Sequence, residues 1–292
     1  MPKLAWLNGH IMPLESAVTS VADHAHLYGD GVFEGIRIYD RRVFKLDEHL
    51  YRLLHGSAFM GYEMTMDFDA LKSQVLDVCR QADIDNGYIR LNVTRGTGLG
   101  LDPKNIDRTP NVMIMVSTLA LYPPEAYETG LDVITSSIRV ISADSLDPRL
   151  KCIGRYAANI MAKAEGNRMG AGEALMLNHQ GQVAECTGDN IFLVHRGELW
   201  TPHPSSGILK GITRDTVLKL AEEAGIVTKE TFITPYDVFT SEEVFLTGTA
   251  AEVIPMVTLD DRKIGNGKPG PMTKKLIEIF REHTKTGVPF DA

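Results

Sequence analysis

Two lysines lie in the stretch Asp147–Lys163, and their surroundings differ. Lys163 continues a helical pattern, which explains it as an ordinary helix residue. Lys151 precedes that helix among apolar residues and a glycine, and no acidic residue is closer in sequence than Asp147. Apolar surroundings favour the neutral amine, which can attack an aldehyde to form a Schiff base. Taken alone, Lys151 is explained more simply as a surface loop lysine.

A carboxylate that could complement such an amine follows a later strand pattern. In VAECTGDNIF, Glu185 stands at the end of the predicted strand, and a polar loop comes next. A carboxylate in this position could pair with a protonated pyridine nitrogen and keep a cofactor ring acting as an electron sink. An ordinary strand-end glutamate beside an arginine explains Glu185 equally well.

Two glycine-containing turns are typical of phosphate sites. In LKGITRD, a glycine and Ile212 precede Thr213 at a helix start, where free backbone N–H groups bind anions. In FLTGTAAE, Gly248 and Thr249 turn the chain out of a strand. Each turn alone fits ordinary capping. Together with the lysine and the carboxylate, they supply the partners that pyridoxal phosphate needs, which are an amine, an acid and phosphate donors.

Two arginines are further candidates for anion binding. Arg52 shares a predicted helix face with His49 and His55, and its guanidinium could bind a phosphate through two N–H groups. The strand YIRLNVTRG alternates, so Tyr88 and Arg90 share a face and could bind a substrate carboxylate. A solvated helix arginine and a covered cross-strand pair are the corresponding structural explanations.

Two other patterns are weak. YGDGVFEG has glycines near the spacing of a dinucleotide-binding loop, but the strand-like IRIYD follows it instead of a helix. His24 and His26 form an incomplete metal shell, since no other ligand cluster is near them in sequence. We therefore predict neither a dinucleotide site nor a metal site.

The composition is that of an ordinary globular protein. The chain has 292 residues, of which 43% are hydrophobic and 23% charged, enough for one large domain or two smaller ones. A net charge of -8 without a basic run argues against nucleic-acid and membrane partners. Three scattered cysteines and the lack of an apolar N-terminal run indicate a cytoplasmic location.

The elements that must position these residues suggest two domains of the α+β class. Hairpins are predicted around Asn8-Gly9 and near Asp40, followed by two helices and two strands. YPPEAYETG interrupts this pattern. We therefore predict a small N-terminal domain over residues 1–121, a linker over 122–130 and a large C-terminal cofactor-binding domain over 131–292.

Local signals also predict where some elements begin and end. Asp47 is the predicted N-cap of the HLYRLLHG helix. Thr213 is the predicted N-cap of the TRDTVLKLAEEAG helix, and Gly225 is its stop signal. We expect LDVITSSIRVI to form one strand.

Six motifs resemble those of the class IV aminotransferases, the fold-type IV pyridoxal-phosphate enzymes, and most closely the branched-chain amino acid aminotransferases. They occur in family order: HLYGDGVFEGIRIYD, HLYRLLHGSA, YIRLNVTRGTGLGLDP, ECTGDNIF, LKGITRDTVLKLA and GTAAEVIP. The resemblance covers nearly the whole chain. It implies a small α/β N-terminal domain, a larger C-terminal domain with pseudo-barrel sheets and a homodimer as the minimum unit. The choice between dimer and hexamer stays open.

The resemblance also implies roles for individual residues. Lys151 matches the lysine that holds the cofactor as an aldimine and moves the proton of the substrate Cα. Glu185 matches the partner of the pyridine nitrogen, and Tyr156 matches a tyrosine beside the phenolic oxygen of the ring. The residues that match the phosphate site are Arg52, Ile212, Thr213, Gly248 and Thr249. The residues that match the substrate pocket are Tyr28, Phe33, Tyr88, Arg90, Thr249 and Ala250.

Two departures bear on the reaction. Arg155 stands where many relatives carry Asn before the tyrosine. VTRGT is shared with D-amino acid aminotransferases, but the following GLGLDP supplies neither the arginine nor the histidine that binds a carboxylate in those relatives. The resemblance therefore implies ping-pong transamination of L-leucine, L-isoleucine and L-valine with 2-oxoglutarate.

Other functions stay open at this point. D-amino acid transamination, (R)-amine transamination and aminodeoxychorismate lysis use the same scaffold and cofactor. A hypothesis of another class is a non-catalytic binding module, or a metal-binding regulator that uses His24 and His26.

Overall fold

The computed structural model describes residues 4–107, 109–119 and 121–291. The helices are α1 (His24–Tyr28), α2 (Leu46–Phe59), α3 (Phe68–Ala82), α4 (Pro124–Thr129), α5 (Tyr156–Arg168), α6 (Ile212–Glu223), α7 (Pro235–Thr240) and α8 (Pro271–His283). The strands are β1 (Leu4–Leu7), β2 (His10–Pro13), β3 (Gly31–Tyr39), β4 (Arg42–Val43), β5 (Gly87–Thr94), β6 (Asn111–Ser117), β7 (Leu131–Thr135), β8 (Glu173–Leu177), β9 (Val183–Cys186), β10 (Asn190–His195), β11 (Glu198–Pro202), β12 (Thr228–Thr231), β13 (Glu243–Gly248), β14 (Glu252–Leu259), β15 (Arg262–Lys263) and β16 (Val288–Pro289).

The chain divides into two compact units. Unit 1 comprises Met1–Leu119, Lys151–Arg155 and Thr284–Ala292, and unit 2 comprises Ala120–Leu150 and Tyr156–His283. Each unit therefore combines segments that are distant in sequence. The predicted domain bounds stay a prediction, and their outer limits, residues 1 and 292, lie outside the described residues.

Unit 1 is built on an antiparallel sheet with the strand order β16-β4-β3-β5-β6-β1-β2. Both predicted hairpins are confirmed. Asn8 and Gly9 turn the first with φ values of 47° and 102°, and Asp40 and Arg41 turn the second with φ values of 46° and 60°. Two successive residues with positive φ match the right-handed twist of the strands that they join.

The sheet of unit 1 has one face that carries helices. Glu34 of β3 lies across from Leu91 of β5 and contacts side chains of α2. Side chains directly opposite in an antiparallel pair share a face, so Leu91 and its alternate neighbours Ile89 and Val93 lie on the helix side. All three of these β5 side chains are fully buried. The other face is therefore left for Tyr88 and Arg90.

Unit 2 is built on a mixed sheet with the strand order β12-β11-β10-β13-β14-β7-β8-β9, and β15 pairs with β14. The β11–β12, β14–β7 and β7–β8 pairs are parallel. Every residue of β8 and β9 is buried, and each strand buries one acid, Glu173 in β8 and Glu185 in β9, among apolar neighbours. The apolar core includes Leu175, Val183, Ile191, Leu246 and Ile254.

Several local expectations were wrong. Helix α2 begins at Leu46 after a left-handed Lys45, so Asp47 lies in its first turn, where a carboxylate complements the helix dipole. Helix α6 begins at Ile212 after Gly211, so Thr213 is already helical. The strand that begins LDVIT ends at Thr135, and the hydroxyls of the next two residues, Ser136 and Ser137, donate to Glu165 of α5.

Other local features agree with expectation or add to it. Gly225 follows α6 with a φ of 74°, which confirms it as the stop signal. Residues 122–130, predicted as a linker, contain α4, and Ala126 of this helix is buried in the core of unit 2. A search of the described residues for a helix long and apolar enough to span a bilayer found none.

Candidate active site

Lys151 is fixed in unit 1 by pairing with strand β3. The Phe33 backbone N–H donates to the Lys151 carbonyl at 3.1 Å, and Cys152 forms a β-bridge with Val32. The Lys151 Nζ lies 4.8 Å from the centroid of the Phe33 ring. The lysine is half-buried, and strand pairing holds its backbone. This arrangement differs from the surface loop that a lone lysine in this position would suggest.

Arg90 approaches the same aromatic ring. Its guanidinium carbon lies 3.5 Å from the Phe33 centroid, and its Nε donates to Asn92 Oδ1 at 2.8 Å. The buried and half-buried residues of β5 alternate, which confirms that Tyr88 shares the Arg90 face. A Cβ on Gly35 would lie 1.9 Å from the Tyr88 hydroxyl oxygen, so the tyrosine requires a glycine there. Two cations and an aromatic surface thus meet on one face of unit 1.

Tyr28 is also in unit 1, at the end of α1, and 46% of its surface is exposed. The backbone N–H of Gly100 donates to its hydroxyl at 3.2 Å. His24, on the same helix, places Nδ1 2.7 Å from Asp30 Oδ2 and Nε2 2.9 Å from the Gly100 carbonyl. Because both nitrogens of His24 are within hydrogen-bonding distance of these groups, the proposed use of His24 as a metal ligand finds no support in this geometry.

Arg52 is held by a buried acid. Its Nε and Nη2 lie 2.6 and 2.8 Å from the two oxygens of Glu34, which is completely buried. His49 Nδ1 is 2.7 Å from the same carboxylate. Burial disfavours the charged form of Glu34, but the adjacent charge of Arg52 and its hydrogen bonds outweigh this, so the Glu34 pKa lies well below its usual range.

For His49, burial outweighs the effect of the neighbouring charge, whereas for Glu34 the neighbouring charge outweighs burial. Burial lowers the pKa of its imidazole despite the favourable charge of Glu34. At neutral pH the ring is therefore neutral and donates its Nδ1 proton to Glu34, and Arg52 supplies the positive charge. The ion pair uses two of the five N–H groups of Arg52 and fixes its orientation.

Glu185 is the corresponding acid of unit 2, with 6% of its surface exposed. The Leu209 backbone N–H donates to its Oε2 at 2.8 Å, and Asn190 Nδ2 lies 3.5 Å from the same oxygen. The Asn190 amide also donates to the Leu209 carbonyl at 2.8 Å. These contacts orient the carboxylate at the start of the loop that joins β9 to β10.

Tyr156 lies near this acid at the start of α5. A narrow cavity is lined by Tyr156, Asn159, Glu185, Cys186, Thr187, Gly188, Asp189, Asn190 and Leu209. Asn159 donates its amide to the Thr187 carbonyl at 2.8 Å, which ties α5 to the loop after Glu185. The predicted pair Tyr156 and Glu185 is thus brought to one cavity within unit 2.

The start of α6 has the features of an anion cradle. Among the described residues, no side chain caps this helix through a hydrogen bond at its N-cap, Gly211. The first-turn N–H groups, which include those of Ile212 and Thr213, therefore lack a capping acceptor. A Cβ on Gly211 would lie 2.1 Å from Asn190 Oδ1, so a glycine is required where this helix meets the Glu185 loop.

The second predicted phosphate turn lies between β13 and β14. Gly248 ends β13, and Thr249 and Ala250 form the turn that leads to Glu252. A Cβ on Gly248 would lie 1.9 Å from Asp189 Oδ1. The turn therefore packs directly on the loop that follows Glu185.

The predicted site residues form two groups. Unit 1 holds Tyr28, Phe33, Arg52, Tyr88, Arg90 and Lys151, and unit 2 holds Tyr156, Glu185, Ile212, Thr213, Gly248, Thr249 and Ala250. Within unit 1, Phe33, Arg90 and Lys151 are in contact, whereas Arg52 lies in the buried ion pair with Glu34. Within unit 2, Glu185 and Tyr156 share a cavity, and Asn190 connects Glu185 to α6.

Sequence reasoning missed several supporting residues. Glu34 alternates with Val32 and Ile36 in β3, and a charge in such an apolar register indicates a buried pair. Asn190 ends the polar loop after Glu185, and its position alone could have suggested a role. Leu209 contributes only its backbone N–H, which leaves no signal in the sequence.

A family model for amino-transferase class IV matches residues 31–259. The chain belongs to the class IV aminotransferases. It is 43% identical to a putative branched-chain-amino-acid aminotransferase of Methanocaldococcus jannaschii, over 97% of each chain. This confirms the family expected from the six motifs.

Solved structures of branched-chain amino acid aminotransferases also match the chain. The branched-chain amino acid aminotransferase of Escherichia coli has a TM-score of 0.92 and 32% identity, covering 96% of this chain and 93% of the other. The branched-chain amino acid aminotransferase of Thermobaculum terrenum, in its PLP-bound holo form, has a TM-score of 0.88 and 32% identity, covering 97% of this chain and 94% of the other. The predicted fold-type IV architecture is therefore confirmed.

The residues present fit the pyridoxal phosphate on which this family depends. The first turn of α6 offers N–H groups to a phosphate, and Glu185 offers a buried, oriented carboxylate to a ring nitrogen. Lys151 is a half-buried amine whose backbone is held by a strand. The amine, the carboxylate and the N–H groups therefore match the aldehyde, the ring nitrogen and the phosphate of the cofactor in chemical type.

Proposed function

We propose that this chain is a branched-chain amino acid aminotransferase that moves the amino group of L-leucine, L-isoleucine or L-valine to 2-oxoglutarate in a ping-pong reaction. The observation that carries the proposal is that Arg90 and Lys151 both lie against the Phe33 ring. An arginine can bind a carboxylate, and an aromatic ring offers an apolar surface for a branched side chain. The names of the relatives, which are branched-chain amino acid aminotransferases, support the same substrate class.

When bound, pyridoxal phosphate supplies an aldehyde that reacts with amines and a ring that delocalises negative charge. We propose that Lys151 carries the cofactor in the resting enzyme and that its Nζ then takes and returns the proton at the substrate Cα. The pairing of Lys151 with β3 limits the movement of its backbone, so the amine moves through its own side-chain torsions.

Glu185 has the electrostatic role in this proposal. Its carboxylate balances the charge of a protonated ring nitrogen, and the Leu209 N–H and Asn190 hold it in place. Tyr156 lies beside the phenolic oxygen of the ring in this proposal. The first turn of α6 and the Gly248–Thr249 turn bind the phosphate, and Arg52 adds a positive charge.

The remaining predicted site residues bind the substrate in this proposal. Arg90 and Tyr28 orient the α-carboxylate, with Tyr88 beside them, and the Thr249–Ala250 backbone contributes to the pocket. Apolar contacts distinguish one methylene by only about 1–3 kcal/mol, so all three branched substrates should react. We also propose a dimer as the smallest active assembly and a cytoplasmic location.

The test is a side-by-side assay of the purified protein with pyridoxal phosphate. L-leucine, L-isoleucine and L-valine are each supplied with 2-oxoglutarate, beside D-alanine, an (R)-arylamine and aminodeoxychorismate. We expect glutamate to form with the three L-amino acids at rates well above those of the other donors. Faster turnover of D-alanine, the arylamine or aminodeoxychorismate would contradict the proposal and identify the alternative reaction.

A further inference from the structure

Two buried carboxyl groups of unit 2 meet a single hydroxyl. The Tyr122 hydroxyl oxygen lies 3.3 Å from Glu173 Oε2 and 3.3 Å from Asp189 Oδ2. Glu173 is 3% exposed and Asp189 is 5% exposed, so water screens neither of them effectively. This group of three residues has no part in the chemistry proposed above.

The number of hydrogens available for the two contacts of the Tyr122 hydroxyl shows whether Glu173 and Asp189 can both be ionised. A tyrosine hydroxyl has one hydrogen to donate, and an ionised carboxylate has none. If both acids were ionised, one of the two 3.3 Å contacts would bring lone pairs together. A proton on one carboxyl removes the conflict, because that acid donates to the Tyr122 oxygen while Tyr122 donates to the other acid.

The remaining contacts assign the proton to Asp189. Glu173 accepts from the Thr187 hydroxyl at 2.6 Å and from the Ala174 N–H at 2.7 Å, and Lys163 Nζ lies 3.6 Å from its Oε2. All three contacts favour the ionised form of Glu173. Asp189 has no comparable set of side-chain donors among the described residues.

The charged and titratable groups around Asp189 agree with this assignment. They are Glu173 on β8, Glu185 and Cys186 on β9, Lys163 on α5 and Tyr122 before α4. Burial and then the charge of Glu173 raise the pKa of Asp189 to about 7, against the smaller effects of Tyr122 and Lys163.

Asp189 also touches two parts of the cofactor site. It lies in the loop between Glu185 and Asn190, and its carbonyl accepts from the Cys186 N–H at 2.7 Å. Its Oδ1 lies against Gly248, where a Cβ would be 1.9 Å away. The Asp189 side chain therefore lies between the loop that follows Glu185, here called the Glu185 loop, and the turn at Gly248 and Thr249.

We propose that Asp189 is a positioning residue that, as a neutral acid hydrogen-bonded through Tyr122 to Glu173, fixes the Glu185 loop against the Gly248–Thr249 turn. The inference rests on the proposed function, since it assigns a task to a residue behind that site. The neutral acid suits this place because it fills the space without adding a third negative charge beside Glu173 and Glu185.

The protonation is tested on the cofactor-free protein by thermal unfolding at about pH 5 and about pH 8. In the wild-type protein, the folded state keeps a proton on Asp189 that the unfolded chain releases, so the contribution of Asp189 to stability falls as the pH rises from about 4 to about 7. Asp189→Asn has no such proton. We expect its unfolding temperature to rise relative to wild type between the two pH values. Asp261→Asn changes an exposed aspartate of the same unit, and we expect its difference from wild type to stay constant.

The positioning role is tested by the dissociation constant of pyridoxal phosphate, measured by absorbance and fluorescence titration. Asp189→Asn copies the neutral acid and should bind within about threefold of wild type, whereas Asp189→Ala should bind about tenfold more weakly. Tyr122→Phe removes the bridging hydroxyl and should also weaken binding, which keeps the test available if Asp189→Ala does not fold. Wild-type affinity in both Asp189→Ala and Tyr122→Phe, or equal damage by Asn and Ala at Asp189, would overturn the inference.

The two proposals can fail separately. If the wild-type protein does not bind pyridoxal phosphate, the proposed function fails, and the pH dependence of unfolding still tests the proton on Asp189. If the wild-type protein binds the cofactor but Asp189→Asn shows no gain in relative stability between the two pH values, the inference alone fails.

Discussion

The two units each bury an acid close to the residues proposed for catalysis, but they treat the acid differently. In unit 1, Glu34 is completely buried and lies between Arg52 and His49, so its pKa is far below the usual range. In unit 2, Asp189 is buried beside Glu173, and its pKa rises to about 7. Similar burial therefore leaves Glu34 ionised at neutral pH, whereas Asp189 keeps its proton up to about pH 7.

The difference shows that the sign of the charge on the nearest partner decides whether the pKa of a buried acid is lowered or raised. A positive partner compensates the lost hydration of Glu34, whereas a negative partner adds to the cost for Asp189. The proposed roles follow the same division, since unit 1 offers cations to a carboxylate and unit 2 offers an acid to a ring nitrogen.

Breaking the ion pair in unit 1 should have the largest effect. Glu34→Gln removes the buried negative charge that pairs with Arg52 and His49. We expect the free energy of unfolding to fall by about 3–5 kcal/mol in urea denaturation at neutral pH. Glu48→Gln changes an exposed acid in the first turn of the helix that carries Arg52 and removes only its exposed pair with Lys45, so we expect a loss of no more than about 1 kcal/mol. Equal losses in the two variants would show that Glu34 is not a compensated buried charge.

Replacing the acid of the proposed ring-nitrogen site should affect the reaction more than the fold. Glu185→Gln keeps an oxygen that can accept from the Leu209 N–H, but it removes the negative charge. We expect turnover to fall by about 10²–10³-fold with a nearly unchanged unfolding temperature. Measured kcat and thermal unfolding of the holoenzyme decide this. A variant with wild-type kcat would remove Glu185 from the mechanism.

A smaller change tests the start of α6. In Gly211→Ala, the new methyl group would meet Asn190 Oδ1 at 2.1 Å, so Asn190 or the helix must move. We expect the dissociation constant of pyridoxal phosphate to rise by about tenfold, which corresponds to roughly 1.4 kcal/mol. Gly166→Ala is the matched control, because its Cβ would be in ordinary contact at 3.4 Å within α5. Unchanged affinity in Gly211→Ala would show that this helix start does not hold the phosphate.

The smallest effect is expected on the sheet face of unit 1. Arg90→Lys keeps the positive charge but loses the planar group that lies on Phe33 and donates to Asn92. We expect the KM for L-leucine to rise by about tenfold or less, with a smaller change in kcat. A loss confined to kcat would contradict a role in binding the substrate carboxylate.

Local chemistry in the sequence predicted much of the fold and some of the contacts among the candidate site residues. The residue types Asn and Gly, which readily adopt positive φ, indicated the hairpin at Asn8-Gly9, and the structure shows these φ values. The alternation of side chains along β5 placed Tyr88 and Arg90 on one face of the sheet. The start of α6 was misplaced because Gly211 is required by contact with Asn190, which is distant in sequence. Likewise, no local pattern could show that Lys151 to Arg155 join unit 1 or that Glu34 holds Arg52.

The central claim is that Lys151 is the reactive amine of the enzyme. The most direct measurement is borohydride reduction of the protein with pyridoxal phosphate bound, followed by proteolysis and mass spectrometry. We predict a stable phosphopyridoxyl adduct on Lys151, and its loss in Lys151→Ala. An adduct on Lys163, or no adduct on any lysine, would contradict the account.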